Sequence, residues 1–317
     1  MTNPALSPLF ETLAIRQWSL KNRVVMPPMV TVRNIVGEDG IAWYSEHAEG
    51  GPGLVIIEAT ATPRFGQDLT VETLTPLVEA IHAKGALAAI QLFPVIISRD
   101  AELDLNELSL ADIQTIVADY RRAARICQAA GMDGVQPHGA HGFLLNRFFS
   151  PAHNRRSDEY GGSLDNRMRL GLEIVRAIVD EVGSELMMLY RHTPVQADSY
   201  GLEESLAFAR ELVAAGVDVL DLSPSSKEAP GDLAAPFMQL GAKVITVGNL
   251  DKPERAEEAL RESRADLVAI GRGLIADPNW ANKLAENNAD SITKCVRCDV
   301  MCFGNLRQRI PIACTQW

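Results

Sequence analysis

The chain has 317 residues, of which 47% are hydrophobic, and carries a formal net charge of −11 at pH 7. This length suits one α/β barrel of about 250 residues with an appendage, and the composition allows a large core. The negative charge argues against nucleic acid or an anionic membrane as a partner. The sequence shows neither a signal peptide nor an apolar run of about 18 residues, so we expect a cytoplasmic protein without a membrane span.

Eight short apolar runs recur along the chain, each too short for a helix and apolar on both faces, as in strands of a covered parallel sheet. The predicted strands are Arg23–Met29, Gly53–Thr60, Leu87–Phe93, Gly134–His138, Leu186–His192, Val219–Pro224, Lys243–Asn249 and Leu267–Arg272.

Amphipathic segments with helical spacing separate these runs, as at 110–130, 170–182 and 206–215. Alternating strands and helices predict an α/β fold, and a count of eight favours a (β/α)8 TIM barrel over an open doubly wound sheet. No GxGxxG motif follows the first strand, which weakens the open-sheet alternative. Composition changes near Ile292, so we predict a barrel over residues 1–291 and a short cysteine-rich module over 292–317.

Polar side chains cluster at the predicted carboxyl ends of the strands, which form the catalytic face of a barrel. One such residue is ordinarily a cap or an ion-pair partner, whereas six at equivalent positions favour a functional site. They are Thr60, Gln91, His138, Arg191, Asn249 and Arg272.

Strands seven and eight end in VGN and IGR, which place Gly248, Asn249, Gly271 and Arg272 in two turns. Glycine lets backbone N–H groups approach an anion, and barrels often bind phosphate at these two loops. Arg272 would add a charge-assisted hydrogen bond. Each glycine alone is also explained by a tight turn, but the pair favours a phosphorylated ligand.

His138 and His141 lie three residues apart after strand four. They would fit a metal site, although no third ligand is evident nearby. They would equally fit a pair of donors to one substrate oxygen. A buried structural role is the third interpretation.

The segment HGAHGFLLNRFFSPAHNRRSDEYGGSLDNRMRL, together with LKNRVVMPPM and ADLVAIGRGLIADP, resembles the old yellow enzyme family of FMN-dependent reductases. The resemblance runs from about Leu9 to Cys314. It implies noncovalent FMN at the top of the barrel and an activated C=C substrate reduced by hydride from flavin N5. Tyr160, Gly161, Gly162, Asn166 and Arg167 are expected to fix the long loop after strand four.

Family positions map onto this chain residue by residue. The resemblance implies that Pro28 and Met29 run beside the isoalloxazine ring, that Thr60 and Gln91 contact its polar edge, and that Arg191 stabilises charge on reduced flavin. Gly248, Asn249, Gly271 and Arg272 would hold the phosphate. His138 and His141 would polarise the substrate. The predicted catalytic residues are therefore His138, His141 and Arg191.

Three departures from the family pattern stand out. Phe143 occupies the position of the usual proton-donating tyrosine, which leaves Tyr190, His192, Lys227 or solvent as sources of the proton. Val30 replaces a Cys or Thr that tunes the flavin. The segment after strand three is short, and its apolar residues 95–97 would either face a partner or pack over the barrel mouth.

Four cysteines crowd the end of the chain as Cys295-x2-Cys298-x3-Cys302-x11-Cys314, whereas Cys127 fits a helical core position. Zinc and a [4Fe–4S] cluster both suit four thiolates. Similarity to the barrel domains of 2,4-dienoyl-CoA reductase and trimethylamine dehydrogenase implies [4Fe–4S]. Those relatives continue into FAD- and NAD(P)H-binding domains, so we expect either NAD(P)H or a separate protein as electron donor.

Three functions remain open at this point. The first is an FMN-dependent ene-reductase fed by the cluster. The second is an oxidative flavoenzyme acting on an amine or C–H donor. The third, which Phe143 keeps open, is an electron-transfer subunit without ene-reductase chemistry. The sequence identifies neither the substrate nor the oligomeric state.

Overall fold

A computed structural model describes residues 7–94, 104–225 and 233–317. An antiparallel hairpin, β1 (Leu13–Ile15) and β2 (Trp18–Leu20), precedes a closed barrel of eight parallel strands. The barrel strands are β3 (Val24–Met26), β4 (Leu54–Ala61), β5 (Leu87–Phe93), β6 (Gly134–Gly139), β7 (Met187–His192), β8 (Val219–Leu222), β9 (Lys243–Val247) and β10 (Leu267–Ala269).

The last strand pairs with the first, since Val268 of β10 lies opposite Val24 of β3. This closure confirms the predicted (β/α)8 barrel and excludes the open sheet. All eight predicted strands are present, and five are shorter than predicted. In four of these five, the last predicted residues lie in the loops of the barrel mouth.

Eleven α-helices lie in the described parts of the chain, and no helix in those parts is long and apolar enough to cross a membrane. They are α1 (Ser7–Phe10), α2 (Glu38–Glu49), α3 (Val71–His82), α4 (Leu110–Ala129), α5 (Leu144–Phe149), α6 (Leu164–Val182), α7 (Leu202–Ala214), α8 (Pro253–Arg261), α9 (Arg272–Ala276), α10 (Trp280–Ala285) and α11 (Asn305–Arg307).

Helix α6 begins six residues before the predicted start at residue 170. The side chain of Ser163 accepts a hydrogen bond from the backbone N–H of Asn166 at 3.3 Å and so caps the first turn. Asn166 and Arg167 therefore lie in this helix, directly after the long loop that they were expected to fix. Their side chains still hold that loop, because Asn166 donates to the Gly161 carbonyl at 2.9 Å and Arg167 to the Phe149 carbonyl at 2.6 Å.

The hairpin fills one end of the barrel interior. Leu13, Ile15 and Leu20 are buried and pack against apolar side chains that point inward from the strands. Burial of this layer stabilises the closed barrel at the amino ends of its strands. The polar inward-facing side chains are therefore confined to the opposite end, where the strands finish.

The segment after Ile292 contains a π-helical turn, Val300–Gly304, followed by α11. A backbone hydrogen bond from Ala313 to Met301, at 3.1 Å, joins its two halves. This segment covers the predicted 292–317 module, whose status as a separate unit stays a prediction.

Candidate active site

The two predicted substrate-binding histidines meet at the end of β6. The ring centroids of His138 and His141 are 5.3 Å apart, and the rings stand nearly perpendicular. The His138 side chain is buried, whereas His141 is half-buried and has a left-handed backbone conformation with φ 59°. This turn lets two residues three apart present their rings to the same space above the barrel.

Phe143 lies directly against this pair, with its ring 4.6 Å from that of His138 and 5.9 Å from that of Phe93. It forms an apolar wall where the family pattern has a tyrosine. Tyr190 and His192 cannot replace that tyrosine, so the sequence interpretation of them was wrong. Both side chains pack on the helix-facing side of β7 against Phe208 of α7. Lys227 and residues 95–97 lie outside the described residues.

A row of buried polar side chains crosses the barrel interior below the histidines. Gln91 donates to the Gln136 side-chain oxygen at 2.7 Å, and Gln136 donates to Asp221 Oδ2 at 3.1 Å. Arg191 Nε lies 3.4 Å from the same Oδ2. These four side chains are at most 6% exposed, so strands β5 to β8 contribute one continuous network.

Ser223, at the end of β8, joins this network to the histidine pair. Its hydroxyl accepts a hydrogen bond from Arg191 Nη2 at 3.2 Å and lies 2.7 Å from His141 Nε2. Arg191, which is predicted to contact the flavin, and His141, which is predicted to bind the substrate, are therefore connected through the Ser223 hydroxyl.

The carboxyl group of Asp221 is fully buried. Burial raises its pKa above the usual value, while the positive charge of Arg191 and the hydrogen bond from Gln136 act in the opposite direction. A buried carboxylate without partners would be strongly destabilising, and Arg191 offsets that cost. The sequence interpretation missed Asp221, Gln136 and Ser223, although one acidic residue inside an apolar strand signals a buried charge that needs a partner.

The loop after β3 carries Pro28 and Met29, which are half-buried, and Val30, which is 38% exposed. A Cβ atom placed on Gly271 would lie 3.5 Å from the sulfur of Met29. The loop predicted to lie beside the flavin ring is thus adjacent to a turn predicted to bind its phosphate.

A buried glutamate, Glu58 of β4, holds this loop from below. Its Oε2 accepts hydrogen bonds from the backbone N–H of Thr31 at 2.8 Å and from the Tyr44 hydroxyl at 3.2 Å. Burial raises the pKa of Glu58, and its hydrogen bonds from Thr31 oppose that shift. Thr60, two residues further along β4, donates its hydroxyl proton to the Glu58 carbonyl at 2.8 Å.

The predicted phosphate-binding residues divide into two groups. Gly248 and Asn249 have left-handed backbones, with φ 131° and 55°, and line a cleft of about 240 Å³ that also contains Arg255 and Arg264. Arg272 points elsewhere, since it forms an ion pair with Asp299 at 2.8 Å. Phosphate binding by Arg272 stays a prediction, and Arg255 and Arg264 are cations that the sequence interpretation missed.

The residues at the mouth fit FMN by the chemistry of their donor set. Gln91 offers an amide to a polar ring edge, Arg191 offers a buried cation, and the turns at Gly248 and Gly271 would present backbone N–H groups to a phosphate. Each predicted contact of Pro28, Met29, Thr60, Gln91, Arg191 and these turns stays a prediction.

The four C-terminal cysteines line one small cleft of about 20 Å³ together with Arg272 and Asp299. Four thiols around one cleft are a donor set that suits a compact metal centre. Within residues 7–94, 104–225 and 233–317, however, no three His, Cys, Asp or Glu side chains are arranged to hold a metal ion. Cys127 is buried in α4, as expected for a core residue.

This cysteine module contacts the loop after β3. The backbone N–H of Ile312 donates to the Thr31 carbonyl at 3.1 Å, and Arg33 donates to the Ile312 carbonyl at 3.1 Å. The Arg33 guanidinium also lies 4.2 Å above the Trp43 ring. Between these contacts, Val32 has φ 59°, which is strained for a β-branched residue.

Comparison with curated proteins identifies relatives along nearly the whole chain. The NADH oxidase of Thermoanaerobacter brockii is 35% identical over 97% of this chain, which spans 55% of that protein. The NADPH dehydrogenase of Listeria innocua is 33% identical over 90% of this chain and 97% of its own length.

Solved structures show the same architecture. Morphinone reductase in complex with tetrahydroNAD has 28% identity and a TM-score of 0.75, and covers 90% of this chain and 92% of its own. The 6-hydroxypseudooxynicotine amine oxidase of Pseudomonas geniculata has 25% identity and a TM-score of 0.85. That match covers all of this chain, including the cysteine module, and 54% of the amine oxidase.

A family description, "NADH:flavin oxidoreductase / NADH oxidase family", matches residues 8–106 and 97–291. These segments include the histidine pair, the buried network and both glycine turns, and they confirm the resemblance drawn from the sequence. The chain therefore belongs to the NADH:flavin oxidoreductase / NADH oxidase family and is a flavin-dependent oxidoreductase built on an eight-stranded α/β barrel.

Proposed function

We propose that this protein binds FMN at the barrel mouth and reduces an activated C=C bond with electrons from NADH or NADPH. The observation that carries the proposal is the pair of perpendicular histidine rings, 5.3 Å apart, beside the buried Arg191 network. Bound FMN would supply hydride to the substrate carbon from its N5 position. The residues of the chain bind FMN and the substrate, orient them, and polarise the substrate oxygen.

His138 and His141 act as two donors to one substrate oxygen. Two imidazole N–H groups that converge on a carbonyl stabilise the negative charge that develops when the conjugated carbon accepts hydride. The contact of His141 with Ser223 fixes the orientation of its ring before substrate arrives. Arg191 places a buried positive charge where reduced flavin is anionic.

Solvent supplies the proton to the other substrate carbon. Phe143 has no transferable proton, and Tyr190 and His192 face the surrounding helices. His141 is half-buried, so solvent reaches the histidine pair from its side. Solvent protonation predicts that the second hydrogen exchanges freely with the medium.

NADH or NADPH is the proposed electron donor because the relatives in Thermoanaerobacter and Listeria are named for these nucleotides. The four cysteines are proposed to hold a [4Fe–4S] cluster, because they line one cleft at the edge of the mouth. The cluster would carry single electrons between FMN and a second redox partner. Zinc is the alternative occupant.

The proposal is tested with protein purified without oxygen. We expect a flavin spectrum with added cluster absorbance, FMN and iron in the protein, bleaching by NADH or NADPH, and rapid reoxidation by cyclohexenone. Correctly folded protein that does not take up FMN would overturn the flavin site. Zinc without iron would overturn the cluster alone.

A second candidate is an oxidative flavoenzyme. It is favoured by the replacement of the proton donor by Phe143 and by the match to an amine oxidase over the whole chain. Bleaching of the flavin by an amine under anaerobic conditions, with no reoxidation by cyclohexenone, would support this function over ene-reduction. Reoxidation only by redox proteins would support an electron-transfer subunit.

A further inference from the structure

The buried carboxylate of Asp221 lies at the centre of the polar row in the barrel. It is on β8, directly opposite Arg191 of β7 in the strand register. Both of its ordered contacts, from Arg191 Nε and Gln136 Nε2, converge on the same oxygen, Oδ2. The other oxygen is buried and accepts no hydrogen bond.

The donors and acceptors of this row have a fixed direction. A carboxylate oxygen only accepts, so Gln136 turns its NH2 group toward Asp221 and its carbonyl toward Gln91. That carbonyl accepts from Gln91 Nε2 at 2.7 Å, which commits one N–H of Gln91 to the barrel interior. Gln91 is left with its side-chain oxygen and one N–H for a bound ligand.

The same carboxylate also fixes Arg191. Its negative charge balances the guanidinium inside the barrel, where the dielectric constant is low. Arg191 then keeps Nη2 for Ser223. Two predicted flavin contacts, Gln91 and Arg191, therefore depend on one acid that touches neither the mouth nor solvent.

We propose that Asp221 is a positioning residue with two effects. It orients Gln91 through Gln136, and its negative charge offsets the positive charge of Arg191 and so sets the reduction potential of the flavin. The proposal rests on the proposed FMN site. Its two branches are separable because one acts through charge and the other through amide orientation.

The charge branch is tested with Asp221→Asn, which keeps the shape and removes the charge. Arg191 is then unbalanced and favours anionic reduced flavin over oxidised flavin. Reduced FMN should then bind about tenfold more tightly relative to oxidised FMN than it does in the wild type. This change corresponds to a rise of about 30 mV in the two-electron reduction potential of the bound flavin. The measurement is anaerobic spectroelectrochemistry of the full-length FMN protein.

Asp218→Asn is the matched control. Asp218 precedes the same strand at the opposite end of the barrel, where it accepts from the Met188 backbone at 2.9 Å and pairs with Arg16. This variant should keep the wild-type potential. An unchanged potential in Asp221→Asn, or an equal shift in both variants, would overturn the charge branch.

The amide branch is tested with Gln136→Met, which removes the link and leaves the Asp221–Arg191 pair in place. Gln91 is then free to turn, and we expect FMN affinity to fall about fivefold for both redox states, with little change in potential. This variant also tests the proposal should Asp221→Asn not fold. Unchanged affinity overturns this branch, whereas wild-type protein that binds no FMN overturns the proposed function instead.

Discussion

The side chains at the barrel mouth and those of the cysteine module are held in different ways. Gln91, Gln136, Asp221 and Arg191 are at most 6% exposed and are linked in that order by hydrogen bonds and an ion pair. In the module, Val296 and Trp317 are 56% and 61% exposed. Five of the seven large exposed apolar side chains in the described parts of the chain belong to residues 292–317.

The difference indicates that different interactions stabilise the two regions. The mouth is organised by strands and by its own buried hydrogen bonds. The module buries little apolar surface, and its four thiols share a cleft without forming a ligand set. A region of this kind ordinarily gains its stability from the metal that it binds.

Loss of the proposed metal should therefore have the largest effect, and only on the module. With Cys302→Ser or after chelation of wild-type protein, we expect tryptic cleavage within 292–317 to accelerate by at least about 10³-fold, because metal binding supplies the folding free energy there. FMN-supported protection of the barrel should remain. Peptide mapping over time measures both.

Cys127→Ala is the control, because this thiol is buried in α4 and far from the cleft in sequence. It should keep the iron content and the protease resistance of the wild type. Equal cleavage rates with and without metal would show that the module is organised by its contacts with the barrel alone.

The histidine pair should give the next largest effect. His138→Ala with His141→Ala removes both proposed donors, and loss of one such donor costs about 10²–10³-fold in rate. We expect reoxidation of reduced flavin by cyclohexenone to slow by at least that factor, with FMN content unchanged. Stopped-flow absorbance measures the rate. His82→Ala, on α3, should react like the wild type.

The contact between the barrel and the cysteine module runs through Arg33 and Trp43, and His47 packs beside Trp43. We expect the stability of this part of the protein to depend on pH. His47 packs 4.1 Å from the Trp43 ring, and burial lowers its pKa to about 4. The folded state then binds fewer protons than the unfolded state between pH 6.5 and 4, so stability is present above pH 6.5 and is lost as pH falls through this window. The loss from this group is about 3 kcal/mol.

Urea titrations at each pH, with the free energy of unfolding plotted against pH, check this prediction. His47→Gln should flatten the curve between pH 6.5 and 4. His82→Gln should not flatten it, because contact with Asp133 raises the pKa of His82 and gives the opposite sign. An equally steep curve in His47→Gln would assign the acid sensitivity to another group.

The smallest effect is expected from Arg33→Met, which removes the hydrogen bond to Ile312 and the contact with Trp43. These contacts offset the strain at Val32, which costs about 1–3 kcal/mol. We expect a loss of about 2 kcal/mol in stability and severalfold weaker FMN binding, measured by flavin fluorescence. Arg125→Met, an exposed arginine on α4, should leave both unchanged.

The sequence predicts the fold well because buried parallel strands have a simple signature. All eight runs are strands, and the strand Leu87–Phe93 was predicted exactly. The start of α6 was missed because the sequence analysis did not recognise Ser163 as a helix cap. Gly131 and Gly183 follow α4 and α6 directly after the segments predicted as helical, and their φ values of 85° and 59° favour glycine there.

The site is predictable in its outline and not in its connections. Strand-end position locates His138 and Arg191, but it does not show which side chains they contact. Tyr190 and His192 could have been excluded from the sequence, because they flank the inward-facing Arg191 on a strand where side chains alternate. The turn of Arg272 toward Asp299 depends on how the module packs, for which the sequence carries no local signal.

The hairpin that fills the far end of the barrel has a kinetic consequence. Within the described residues, Leu13, Ile15 and Leu20 fill the amino end of the barrel, and the histidine pair lies at the opposite end. Under the proposed function, the nicotinamide nucleotide and the compound to be reduced share the histidine end of the barrel, so we expect them to bind there in alternation. Double-reciprocal plots at several concentrations of the second reactant should give parallel lines, with each reactant inhibiting at excess by blocking its counterpart.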